Sequence, residues 1–315
     1  MKIAVVGCGY WGRNLVRNFS ELGTLKYVCD SDRSTAEAIG DQHNVSTTEL
    51  DNIFETEVDG IVIATPAAQH FEIAKAALQS QKHVFVEKPL AIHENELEDI
   101  KSFYSSVEIK PILQVGYNRR FAPLVQEMRN TLKGLPISIN YRVNAGIIPR
   151  DVWIQDADVG GGRVIGEVCH FIDTCTFLTG SLPESVYASC VTKPDQSIPD
   201  EDNISIILKY QNGSTAVINY YAFGNSQLPK EAVEVFAPEI ALRMDNFREL
   251  EIFKGSKSKK IKNANQDKGF KGEFKALKTA IETGKKAISF DEMYSTSKVT
   301  FAILKSLKTG NPQKV

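Results

Sequence analysis

In the amino-terminal part of the chain, short runs that are apolar throughout alternate with longer amphipathic stretches. The apolar runs are Ile3 to Val6, Leu25 to Cys29, Gly60 to Ala64, His83 to Val86 and Ile112 to Val115. Between them the spacing predicts helices over Arg13 to Leu22, near Thr35 to Gly40, Phe71 to Gln79 and Glu94 to Tyr104. Strands that are apolar on both faces need cover on both faces, so the pattern predicts an α/β domain over residues 1–120 built on a doubly wound parallel sheet.

The pattern changes beyond that point. A helix expected over Pro123 to Leu132 is followed by strand-like runs at Ile137 to Asn144, Ser185 to Val191, Asn203 to Tyr210, Ser214 to Ala222, Glu231 to Phe236, Ile240 to Arg243 and Glu249 to Phe253. Gln211-Asn212-Gly213 between two of them is a hairpin signal. Consecutive strands without intervening helices predict an α+β domain over 121–315 with a large, mostly antiparallel, open-faced sheet. An open face of this kind invites a second copy of the chain, as a homodimer or homotetramer. The lysine-rich stretch Lys254 to Lys262 reads as a solvated hairpin tip or loop. Closing helices are expected over Gly272 to Thr283 and Asp291 to Lys308, the terminal one able to pack back on the first domain.

A chain of 315 residues fits two such domains. Its net charge of -2 offers no basic stripe for nucleic acid and no acidic tail. No apolar run approaches membrane-spanning length, and Met1-Lys2 passes directly into a short strand, so a soluble, cytoplasmic protein is expected. The five cysteines contain no CxxC pair, which argues against a disulfide framework or a zinc site and for reduced, buried thiols. No metal is expected.

Chemistry enters at the first turn. Gly7-Cys8-Gly9-Tyr10-Trp11-Gly12 lies between a strand and a helix, and Asp30 closes the next apolar run eighteen residues after Gly12. This is the arrangement of a Rossmann dinucleotide site. Gly7 permits a tight turn, Gly9 lets the backbone approach a diphosphate, Gly12 allows close helix packing, and the helix amino terminus favours negative charge. Tyr10 and Trp11 belong to the same turn. Asp30 can accept hydrogen bonds from a ribose diol, which favours NAD; Arg33 nearby leaves NADP open.

Two further strands end in suggestive residues. Gly60 to Ala64 runs into Thr65-Pro66-Ala67-Ala68-Gln69-His70, and His83 to Val86 into Glu87-Lys88-Pro89. Ligands of open α/β sheets bind at such carboxyl ends, so Thr65, Pro66, His70, Glu87 and Lys88 are expected at the cofactor. A lysine is ordinarily a surface residue, but one flanked by an acid and a proline beside a nicotinamide can polarise a carbonyl or ease deprotonation of a hydroxyl. A third constellation, Gly160-Gly161-Gly162, precedes a helical stretch on which Glu167, His170 and Asp173 recur at spacing three, on one face. A buried histidine bonded to its neighbours is the plain alternative to a proton relay there. Asn118, Arg142, Asn144, Arg150, Trp153, Arg163 and Asp173 could line the substrate side, where arginines would suit a diphosphate or carboxylate.

Together Gly7-x-Gly9-x-x-Gly12, Thr65-Pro66-x-x-x-His70, Glu87-Lys88-Pro89, Gly116-Tyr117-Asn118-Arg119-Arg120-Phe121, Gly160-Gly161-Gly162 and His170 resemble the glucose-fructose oxidoreductase, inositol dehydrogenase and MocA family of NAD(P)-dependent oxidoreductases, over nearly the whole chain. The resemblance implies that Lys88 is the catalytic lysine, that His170 transfers a proton near C4 of the nicotinamide, that the peptide before Pro89 is cis, and that the second domain's open sheet forms a dimer or tetramer. The family usually carries an aspartate four residues before the histidine. Here that position is Gly166, with Glu167 one step later; one residue turns a helix by about 100 degrees, so Glu167 cannot simply overlay the aspartate.

The expected activity is hydride transfer between nicotinamide and a secondary alcohol or ketone carbon of a sugar or nucleotide sugar, with Lys88, His170 and Glu167 catalytic. The run 166–173 looks like a subgroup associated with surface-polysaccharide metabolism. A cofactor-sensing regulatory protein of the same fold, or a reductase of an imine or linear tetrapyrrole, are the alternatives.

Overall fold

The computed structural model describes residues 1–108, 110–191 and 198–315. They divide into two units, 1–116 with 271–293 and 117–270 with 294–315. In the first, β1 (Ile3–Val6), α1 (Gly12–Glu21), β2 (Leu25–Cys29), α2 (Arg33–His43), β3 (Ser46–Thr47), α3 (Leu50–Ile53), β4 (Gly60–Ile63), α4 (His70–Gln79), β5 (His83–Val86), α5 (Glu94–Ser106) and β6 (Leu113–Val115) follow in turn. Among the described residues the strands form a six-stranded, wholly parallel sheet in the order β3-β2-β1-β4-β5-β6. The order reverses at β1 and β4, and there a crevice opens outside the carboxyl ends of the strands.

Local chemistry sets the helix limits. The Asp32 side chain accepts a hydrogen bond from the Ser34 amide at 3.0 Å, so α2 starts earlier than its apolar periodicity indicated, and Asn44 ends it with φ at 52°. β3 and α3 are too short to leave a periodic signal. Val5, Val16, Phe19, Val28, Val62 and Phe85 form the core, joined by Phe274, Leu277 and Ala280 from residues 271–293. Burying a side chain of this size contributes roughly 1.5–3 kcal/mol.

The second unit adds α6 (Pro123–Leu132), β7 (Ser138–Asn144), a π-helical turn (Val164–Val168) leading into α7 (Cys169–Thr179), β8 (Pro183–Cys190), β9 (Asn203–Tyr210), β10 (Thr215–Tyr221), β11 (Glu231–Ala237), β12 (Ile240–Asp245), β13 (Glu249–Lys254) and β14 (Lys257–Lys262). The chain closes with α8 (Phe270–Thr283), α9 (Phe290–Thr309) and β15 (Gln313–Lys314). The described strands make a nine-stranded sheet ordered β14-β13-β12-β11-β7-β10-β9-β8-β15, antiparallel except where β10 lies parallel to β7. Inward-facing Ile139, Tyr141, Ile206, Ile218, Val235 and Leu242 share one core with Val125 and Met128 of α6 and Phe171 and Cys175 of α7. Side chains alternate across a strand, so the other face of the sheet carries Asn140, Ile207, Glu234 and Arg243.

The lysine-rich stretch is not a bare loop. Lys257–Lys262 pairs with β13 as the edge strand, where Lys259 meets Glu127 at 3.3 Å and Lys260 contacts Glu249 and Glu251. A lysine-studded edge resists pairing with another chain, and alternation with polar residues on both faces hid the strand from a hydropathy reading. No helix among the described residues is long and apolar enough to cross a membrane. All five cysteines are free thiols. No cluster of metal-ligating side chains occurs among the described residues.

Candidate active site

The turn between β1 and α1 is built by exclusion. Gly7 has φ at +90°, and a Cβ there would stand 2.6 Å from the Ala64 carbonyl oxygen; a Cβ on Gly12 would overlap the carbonyl of Gly7. Only glycine permits this approach of backbone to backbone. Gly9 differs, because a Cβ there would meet nothing within 4 Å. Its missing side chain leaves room for a ligand rather than for the protein. Asp30 is set by two amides: Cys8 N–H donates to its Oδ2 at 2.6 Å and Asp32 N–H to its Oδ1 at 2.9 Å. A groove of about 620 Å³ lies between these features, lined by Gly9, Tyr10, Arg13, Asn14, Asp30 and Thr35. Tyr10 and Trp11 stand exposed at the turn. Beyond Asp30 the Arg33 guanidinium pairs with Glu37 at 2.8 Å.

Two turns follow the neighbouring strands. After β4, Thr65 is half-buried and Pro66 exposed, and the Thr65 hydroxyl is a buried group with no partner among the described residues. After β5, Glu87 packs against Gly116, where a Cβ would stand 3.0 Å from Glu87 Oε2, and burial raises the Glu87 carboxyl above its usual range. Lys88 is half-buried, and the Lys88–Pro89 peptide is cis, as the family resemblance implied. His70, expected at the cofactor, instead lies buried beneath both turns with both ring nitrogens on backbone carbonyls, its Nδ1 2.7 Å from the Pro89 oxygen and its Nε2 2.9 Å from that of Thr65.

In the second unit the candidate residues around α7 are drawn apart. The expectation of Glu167, His170 and Asp173 on one helix face fails, since Glu167 lies in the π-helical turn and the other two in α7. Extra residues per turn rotate Glu167 away from the α-helical stripe. Its carboxylate accepts from Tyr220 OH at 2.6 Å, from Arg163 Nη2 at 2.7 Å and from Lys230 Nζ at 2.6 Å. Burial works to raise this carboxyl, but the Lys230 ammonium and the Arg163 guanidinium overcome it and hold it well below the usual carboxylate range. A carboxylate so bonded anchors Tyr220, Arg163 and Lys230.

Asp173 is likewise not offered to a small molecule. It is wholly buried in a forked ion pair with Arg120, whose Nε lies 3.0 Å from its Oδ2. Asn118 is buried, donating to the Lys268 carbonyl at 2.8 Å, and Arg163 is buried between Glu167 and the Gly146 carbonyl. Arg142 donates to the Pro229 carbonyl at 2.6 Å, and Asn144 to the carbonyls of Asn225 and Leu228. Arg150 reaches the Ile198 carbonyl at 3.4 Å, whereas Trp153 is exposed. His170 lies in the first turn of α7, nearly buried, with the Tyr117 ring edge-on at 6.4 Å between centroids.

Sequence reasoning missed Lys230, Tyr220 and the cluster on Glu231. Glu231 is fully buried, bonded to Arg119 Nε at 2.8 Å, to Tyr141 OH at 2.7 Å and to Lys268 Nζ at 2.9 Å. A glutamate in register with the inward-facing Val233 and Val235 of β11 was the available signal, since a charge inside a core must be paired.

The first unit fits a dinucleotide. Gly9 leaves open space at the turn, the amino terminus of α1 faces the groove, Asp30 is held for a diol, and the unpartnered Thr65 hydroxyl offers a hydrogen bond.

Comparison with known proteins agrees with this geometry. Residues 1–117 match the model of an oxidoreductase family with an NAD-binding Rossmann fold, and residues 134–237 match the GFO/IDH/MocA C-terminal domain. An inositol 2-dehydrogenase of Rhizobium meliloti is 28% identical over 238 residues, 72% of this chain and 70% of that protein. A UDP-N-acetylglucosamine 3-dehydrogenase of Acidithiobacillus ferrooxidans is 26% identical over 188 residues, 60% of this chain and 57% of its own length. Among solved structures, a putative myo-inositol dehydrogenase from Sinorhizobium meliloti 1021 superposes with a TM-score of 0.83 at 22% identity, covering 100% of this chain and 99% of the other.

Proposed function

From the premise that the chain belongs to the GFO/IDH/MocA family of NAD-binding oxidoreductases, we propose that it moves a hydride between NAD and a secondary alcohol or ketone carbon of a sugar or nucleotide sugar. The observation that carries this reading is Lys88, half-buried at the carboxyl end of β5 beside the crevice strand β4. Nicotinamide supplies the two-electron acceptor or donor. Gly9, Asp30 and Thr65 would hold the cofactor in the first unit. In oxidation His170 takes the hydroxyl proton, and in reduction it returns one; Lys88 steadies the charge that develops on the substrate oxygen. Asp30 favours NAD over NADP, because its carboxylate repels a 2′-phosphate and the nearby Arg33 is engaged by Glu37. A surface-polysaccharide setting rests on the run 166–173, and a nucleotide-sugar substrate on likeness to the UDP-N-acetylglucosamine 3-dehydrogenase.

The test is turnover with NAD over a panel containing myo-inositol and UDP-N-acetylglucosamine, using wild type and Lys88→Met. The variant is expected to lose about a hundredfold to ten-thousandfold in turnover while NADH fluorescence quenching is kept. Undiminished turnover would remove Lys88 from the mechanism. One observation favours a second reading, a cofactor-sensing regulator: Gly166 has no side chain and the Glu167 carboxylate is fully engaged, so the acid usual in the family is missing. NADH binding without turnover of any panel member would favour it.

The open face of the second sheet supports self-association. Tyr187, Ile207, Phe236 and Phe253 are exposed there, and Glu234, Arg243, Glu251 and Lys260 follow one another in register across it with alternating charge. Such a row can pair with a second copy of itself. Light scattering is expected to give a dimer or tetramer, and Ile207→Lys a smaller species.

A further inference from the structure

His70 lies in the first turn of α4, is 2% exposed, and takes no part in the proton or hydride steps. Its ring spans two loops, with Nδ1 2.7 Å from the Pro89 carbonyl oxygen and Nε2 2.9 Å from the Thr65 carbonyl oxygen. Both partners are acceptors only, whereas a neutral imidazole has a single N–H to donate. Burial opposes a second proton on the ring and the Lys88 charge adds to that opposition, while the two carbonyls favour it. The neutral ring must therefore choose between the loops. The Pro89 contact is the shorter, which favours a proton on Nδ1; with the ring neutral, Nε2 then has no proton to give Thr65.

Pro89 directly follows Lys88, and Thr65 lies in the turn that follows the adjacent crevice strand β4. Resting on the reading of Lys88 given above, we propose that His70 is a positioning residue: by donating from Nδ1 to the Pro89 carbonyl it fixes the turn that carries Lys88 and so holds the lysine ammonium in one orientation. A histidine serves here because its flat ring packs between the two turns while Nδ1 donates to the Pro89 carbonyl.

Two measurements on the full-length protein test this without needing the substrate. In histidine-labelled protein, the ring nitrogen signals of His70, assigned by their loss in His70→Gln, are expected to show a proton on Nδ1. A ring protonated at Nε2 alone overturns the proposal. In protein carrying carbon-13 methyl groups on its lysines, the Lys88 signal is assigned by its loss in Lys88→Arg. In His70→Phe, which keeps a flat ring without a donor, that signal is expected to shift or broaden while NADH quenching titrates as in wild type. An unmoved Lys88 signal, or loss of NADH quenching with the Lys88 signal intact, overturns the positioning role. If His70→Phe does not fold, the ring tautomer in wild type decides alone. Failure of the functional reading is seen separately, as full turnover by Lys88→Met.

Discussion

The crevice end of the first unit and the surroundings of α7 in the second hold comparable numbers of suggestive polar residues, and they treat them in opposite ways. At the crevice the arrangement is set by backbone: glycines that let turns approach, amides that orient Asp30, carbonyls on either side of the His70 ring. Side chains such as Tyr10, Trp11 and Pro66 remain exposed. Around α7 nearly every position is buried, and Glu167, Asp173, Arg120, Arg163 and Glu231 are locked in ion pairs. Surroundings decide the matter. A polar group in an open turn keeps its valences for a ligand, while one inside a core must satisfy them within the protein.

The sharpest way to break that contrast is Glu231→Ala. It would leave Arg119, Lys268 and Tyr141 without their shared acceptor, so a loss of about 3–5 kcal/mol in urea unfolding is expected. A loss below about 1 kcal/mol would mean that the cluster is not structural. The same cluster predicts a response to acid. Burial opposes the Glu231 charge, but the Arg119 guanidinium and the Lys268 ammonium lower its carboxyl from the usual 4.5 to about 2. A carboxyl depressed on folding contributes stability that is complete above about pH 4.5 and is lost as pH falls toward 2. Roughly 3 kcal/mol is at stake, and Glu231→Gln should flatten that part of the stability curve.

The contrast also explains what could be read from the sequence. Periodicity gave β2, β5, β9 and α6 at their observed limits, because apolar runs bounded by turn residues record burial directly. The glycine turn and Asp30 were legible for the same reason, since their roles depend on position along the chain. Glu167 was read as catalytic and Asp173, Asn118 and Arg163 as substrate-binding, and each is held by a partner distant in sequence or by the π-helical turn. Glu167 meets Lys230 and Tyr220, and Asp173 meets Arg120. Nothing local in the chain announces such a pairing.

A smaller effect separates the glycines of the turn from one another. Gly9→Ala should leave thermal stability unchanged or slightly raised, because the new Cβ meets open space and the unfolded chain loses freedom. The same methyl would stand where a diphosphate approaches, so NADH affinity is expected to fall about tenfold, which is about 1.4 kcal/mol. Gly12→Ala should instead weaken folding and binding together, since its Cβ would overlap the Gly7 carbonyl. If Gly9→Ala bound NADH as tightly as wild type, the groove beside Asp30 would not be the diphosphate path.

The smallest change addresses the missing acid. At Gly166 a Cβ would stand 3.2 Å from the Gly160 carbonyl oxygen, tight but not impossible. Alanine in a helical turn gains about 1 kcal/mol over glycine from backbone entropy, so relief of that contact would make Gly166→Ala stabilising. Gly160 is poorly placed to yield. Its amide donates to the Asp156 carbonyl at 2.9 Å, and a Cβ on it would stand 2.5 Å from the Ile154 carbonyl oxygen, so its backbone is already pressed against residue 154. The clash should therefore offset the propensity gain and leave Gly166→Ala destabilised by less than about 1 kcal/mol, measured by urea unfolding. A clear gain in stability would mean that the loop moves and that an aspartate could be installed at this position. A loss would mean that the close approach of the glycine loop closes the position to any side chain, which leaves Glu167, turned toward Lys230 and Arg163, as the nearest acid in the turn.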